Sequence, residues 1–185
     1  MIDTSKMIPG DVILTYGEWR LWPPKYWVLQ IFYNAVHAYQ KKKWGAHSDY
    51  KPTHARVYLM PDFFEVTYPK ARWGTIDEIT GHYKVCRYTG RELSWSAMMD
   101  EAMQLNGSPY DMGDNADFAV SGLLGMFTRN IRLFGDRLKK YVVCSTGAAR
   151  ILTAGGAQLG DTSAYDPASF ANQPQLFEVI QEGNA

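Results

Sequence analysis

Residues 54–68 read HARVYLMPDFFEVTY. Two β-branched and aromatic runs flank Pro61 and Asp62, and this pattern predicts a β-hairpin. Strand side chains alternate with period two, so His54 and Glu65 share a face when the turn centres on Pro61 and Asp62. In that register position 69 opposes position 54, and Glu65 lies four residues out of step. A turn centred two residues earlier would set His54 and Glu65 directly opposite, and the sequence leaves both registers open.

Working outward, Pro9 and Gly10 form a turn before a first strand from Val12 to Tyr16, closed by Gly17. HYKVCRY, 82–88, is a further strand, and LFEVI, 176–180, a last one. SWSAMMDEAMQLNG, 94–107, predicts a helix with serine caps at its start and Gly107 past its end. Helical spacing of Trp27, Ile31, Ala35 and Tyr39 after Pro23-Pro24 predicts another near 24–42, and 116–138 reads as one or two more. Strands run together and helices are grouped, which indicates an α+β fold with an antiparallel sheet rather than alternating βαβ units.

The 185 residues suit a single domain, 1–185, carrying an aromatic-rich helical insertion at about 19–45. At 46% hydrophobic and 21% charged the chain can bury a core. Nineteen basic residues balance nineteen acidic ones, which argues against nucleic acid as a partner. Lys41 to Lys43 reads as the cationic end of a helix. No secretory signal or membrane-spanning run is visible and cysteines are scarce, so the expected compartment is the cytoplasm. Sequence leaves a Cys86–Cys144 bridge open.

KKYVVCSTGAARIL, 139–152, places Cys144 where an apolar run meets a helix expected to extend to about Thr153 and stop at Gly155-Gly156. In a first helical turn the unpaired N–H groups and the helix dipole favour a thiolate, and the N–H of Cys144 itself could face an oxyanion. Space-filling burial is the competing reading, and it is the favoured one for mid-strand Cys86. A cysteine hydrolase also needs a base and a group to orient it. The four histidines are 37, 47, 54 and 82; His54 is the one fixed by the hairpin, where Glu65 offers a carboxylate. The cysteines and histidines lack a zinc spacing, and neither metal nor cofactor is expected.

PGDVIL (9–14), HARVYL (54–59), FEVTY (64–68), NGSPYD (106–111), VVCSTG (142–147) and the tail DPASFANQPQLFEVI together resemble the circularly permuted branch of the NlpC-type papain-like cysteine hydrolases, the YiiX-like proteins among them. In that branch the histidine and its partner precede the cysteine. The resemblance implies a papain-like sheet packed against helices, with Cys144 as nucleophile at a helix N-terminus, His54 as base and Glu65 as orienting residue. It also implies Tyr110 and Ser145 as residues lining the substrate or oxyanion position. The family's glycine after the histidine is replaced here by Ala55 and Arg56, and Arg56 is expected to face away from His54.

The function so implied is a cysteine amidase or peptidase acting through an acyl-enzyme on a small peptide or amide. A lipid-directed thiol acyltransferase and a silent scaffold of the same fold are the alternatives. The aromatic stretch with its lysines would suit a membrane surface, though a core or groove-wall role suits it better.

Overall fold

The computed structural model describes residues 2–17, 34, 37–45, 49, 51–110 and 143–185. Strands β1 (Val12–Tyr16), β2 (Pro52–Tyr58), β3 (Phe63–Glu65), β4 (Arg72–Gly74), β5 (His82–Tyr88) and β6 (Phe177–Asn184) form one sheet in the order β4-β3-β2-β1-β5-β6. Every neighbouring pair is antiparallel. Helices α1 (37–44), α2 (Trp95–Leu105) and α3 (Cys144–Ala154) complete an α+β architecture.

β1 sits between β2 and β5, and Val12, Ile13 and Leu14 are all fully buried. Alternation then sorts the sheet into two faces. Val12, Leu14, Ala55, Val57, Phe64 and Cys86 join the main core with Met98, Ala102 and Leu105 of α2 and Ala148, Ala149, Ile151 and Leu152 of α3. Ile13, Tyr58, Phe63, Tyr83 and Val85 form a second core on the other face. Each fully buried Leu or Ile side chain contributes roughly 2 kcal/mol.

Local chemistry explains the helix boundaries. Ser94 Oγ accepts from the Ala97 N–H at 3.4 Å to start α2, and Ser94 N–H donates to the Gly155 carbonyl at the end of α3. The N-terminal turn is fixed by Asp11, which is buried and accepts from Arg87 at 2.8 and 2.9 Å and from the Ile8 N–H at 2.8 Å. Gln40 of α1, also buried, donates to the Pro52 carbonyl at 2.9 Å and accepts from the Ala168 N–H at 2.7 Å. It thereby ties α1 to the start of β2 and to the 3-10 turn Pro167–Phe170.

Three sequence expectations are corrected. The hairpin register pairs Tyr58 with Phe63 and Arg56 with Glu65, midway between the two registers considered, so Glu65 is two residues out of step with His54. Its second arm ends at Glu65 instead of running through Tyr68, because the following chain pairs elsewhere. Ala71 and Pro69 bond to Ser108, Gly107 and Tyr110, and Pro69 brings no N–H to a ladder. The chain then returns as β4, a strand the sequence reading lacks, and β6 extends past Ile180 to Asn184. The helix near 24–42 lies largely outside the described residues, its described part reaching 44, and the 116–138 helices lie wholly outside them.

Candidate functional site

Cys144 is the first residue of α3, preceded by extended Val143. Thr146 Oγ1 reaches back to this junction, accepting from the Val143 N–H at 3.2 Å and donating to its carbonyl at 3.1 Å. Gly147, Ala148 and Ala149 are buried where α3 meets the sheet. The Cys144 side chain is therefore held at the positive end of the helix dipole with the residue only 6% exposed.

The end of β3 makes room for that sulfur. Tyr58 exchanges backbone hydrogen bonds with Gly10 and Asp11 on the β1 side, so by alternation Val57 and Ala55 direct theirs toward β3. The last β2–β3 pair is Arg56 with Glu65, which leaves the Ala55 N–H at an open strand edge. That N–H, with the N–H of Ser145, is directed to the Cys144 sulfur. His54 approaches from the face of the sheet opposite the helices and hydrogen-bonds the same sulfur, so the cluster is built around the margin of β2.

His54 Nε2 is 2.8 Å from Glu65 Oε2, which leaves Nδ1 as the ring nitrogen for the thiol. Glu65 is 3% exposed and has two further cations. Arg56 Nε donates to Oε2 at 2.8 Å, and the Arg72 guanidinium lies 2.8 Å from Oε1. Arg56 also donates to Thr15 Oγ1 at 2.8 Å and lies 5.2 Å over the Phe63 ring. The expected placement of Arg56 away from His54 is thus overturned: residues two apart on one strand share a face, and both donate to one carboxylate oxygen.

Electrostatics favour a charged pair. Burial alone would push the Cys144 thiol up, but His54, by charge and hydrogen bond, and the N–H groups of Ala55 and Ser145 hold it below the ordinary thiol value. Burial and then Arg56 push His54 down, and Cys144 and Glu65 outweigh them to raise it. Glu65 is pushed up by burial yet brought to about 2 by its hydrogen bond from His54 and the charges of His54, Arg56 and Arg72. Each partner thus shifts the other toward its charged form, the direction in which a thiol becomes more reactive. Cys86, by contrast, has no exposed surface and is pushed up to about 12 by burial; both cysteines are free thiols.

Ser145 is 2% exposed and its hydroxyl donates to the Tyr165 carbonyl at 2.8 Å, so it meets the sulfur through its backbone alone. Tyr110 is half-buried against the main core, its N–H bonded to the Pro69 carbonyl at 3.1 Å. His37 Nε2 is 2.8 Å from the Lys51 carbonyl, His82 is 3.2 Å from Glu182, and His47 lies outside the described residues. Among the described residues no three His, Cys, Asp or Glu side chains gather as a metal would need, and no helix is long and apolar enough to cross a membrane.

The residues that sequence reasoning missed are Arg56 and Arg72. Strand alternation carried the signal for Arg56; Arg72 had none, since β4 was not anticipated. No protein-family model matches the chain, and no curated protein matches it.

Proposed function

We propose that the chain is a cysteine-dependent hydrolase of the permuted papain-like type, cleaving an amide or peptide bond through an acyl-enzyme on Cys144. The observation that carries this reading is the hydrogen-bonded line from Cys144 through His54 to buried Glu65, with the sulfur at a helix N-terminus.

In this mechanism the Cys144 thiolate attacks the carbonyl carbon and forms a C–S bond as the carbonyl electrons move onto oxygen. The N–H groups of Ala55 and Ser145, directed at the sulfur before attack, are freed as the C–S bond forms, and this reading assigns them to the developing charge. Collapse of the intermediate breaks the C–N bond, and the His54 imidazolium gives its proton to the departing amine. Neutral His54 then takes a proton from water, whose oxygen attacks the thioester and releases the acid and the thiolate. Glu65 holds the ring by Nε2 throughout and stabilises it when charged. Tyr110 is carried into this reading by resemblance, as a wall of the acyl or oxyanion position.

The test is a panel of peptide amides and activated esters, with intact-protein mass spectrometry after rapid acid quench. The reading expects an acyl adduct on Cys144 and no turnover in Cys144→Ala or His54→Ala, both folded. Undiminished turnover in Cys144→Ala would overturn it.

A further inference from the structure

We infer that Arg56 is a positioning residue for this reaction: it clamps Glu65 against Thr15 and fixes a positive charge beside the Cys144–His54 pair, thereby setting the pH window in which the pair is charged. The inference rests on the hydrolase reading of the same site.

The geometry is specific to a guanidinium. Nε meets Glu65 Oε2 and a terminal nitrogen meets Thr15 Oγ1, both at 2.8 Å, while the planar group lies over Phe63. A side chain only 17% exposed that is held at two polar contacts and one ring cannot swing away into solvent. Glu65 does not need Arg56 to be neutralised, because Arg72 already occupies its other oxygen. A second, largely buried cation on the oxygen that also serves His54 therefore acts on the pair behind it.

Among the described residues the charged groups around the pair are few. β3 presents Glu65, β4 presents Arg72 with Glu78 2.7 Å behind it, α3 presents Cys144 itself, and β1 presents uncharged Thr15. Within this set Arg56 is attracted to the thiolate and repels the imidazolium. A fixed cation favours the deprotonated form of both partners, so it draws thiolate formation and imidazolium loss together toward lower pH.

The experiment follows the thiolate by its 240 nm absorbance against Cys144→Ala, and the His54 ring by NMR, across pH in the full chain. The variants are Arg56→Gln and Arg56→Lys. In Arg56→Gln both transitions move to higher pH, and the thiolate fraction on the acid limb falls roughly tenfold. Arg56→Lys retains the charge without the fork, so its transitions fall between those of the wild type and of Arg56→Gln. No movement in Arg56→Gln overturns the inference. So does movement in opposite directions, thiol up and imidazole down, because that is the signature of a pair pulled apart by lost shape. Should Arg56→Gln fail to fold, Arg56→Lys decides alone, and a tenfold loss there overturns the inference. An ordinary thiol at Cys144 in the wild type removes the hydrolase reading itself, whatever the Arg56 variants do.

Discussion

His54 and Arg56 donate to the same oxygen of Glu65, each at 2.8 Å. One buried carboxylate thus orients the ring that faces Cys144 and anchors the cation beside it. Its loss should therefore be felt in stability as well as in chemistry.

Glu65→Gln should destabilise the fold above pH 5 and do so progressively less toward pH 2. The carboxyl lies at about 2 here against an ordinary 4.5. Its contribution is complete above the unfolded value and is lost as pH falls through the folded one, which is worth on the order of 3 kcal/mol at neutral pH. Urea titrations of both proteins at several pH values measure the gap. A gap that stays constant from pH 7 to 2 would refute the assignment.

The two thiols should separate cleanly in alkylation. At pH 7 iodoacetamide should label Cys144 at least tenfold faster than Cys86, and Cys86 should react only on unfolding, given its position near 12. Peptide mass spectrometry reads both sites; equal rates would count against a thiolate at Cys144.

Ser145→Ala should lower stability by about 1 kcal/mol, since the Tyr165 carbonyl loses its donor, while leaving Cys144 alkylation within twofold of the wild type. The N–H at position 145 survives the change. A large loss of thiol reactivity would give the hydroxyl a role that its bond to Tyr165 argues against.

Asp11→Ala should cost about 2 kcal/mol, because the Ile8 N–H loses its acceptor and Arg87 keeps only the Lys6 carbonyl at one end of β1. Gln40→Ala should cost about 2 kcal/mol by leaving the Pro52 carbonyl and Ala168 N–H without it. Thermal melts check both, and a change under 0.5 kcal/mol in either would show that the contact is dispensable.

What was legible in the sequence was local. Turn chemistry at Pro61 marked the hairpin, serine capping and glycine marked α2, and the small residues after Cys144 marked α3. What was not legible depended on distant partners. β3 ends where it does because Pro69 and Ala71 bond to residues 107–110, and β4 and Arg72 follow from that diversion. Arg56 was misplaced although alternation alone assigns its face. The tie between Gln40 and Ala168 spans most of the chain and leaves no mark in either segment.

The short turn closed by the Leu59 N–H and the Asp62 carbonyl works as a ruler. It meters out the register that sets Glu65 opposite Arg56. One residue more or fewer would slip the pairing and carry the carboxylate to the apolar face shared by Val57 and Phe64. The number of residues between Leu59 and Phe63 therefore bears on the site as directly as the residues that line it. A one-codon insertion or deletion that slipped this pairing would part His54 from the carboxylate that orients it.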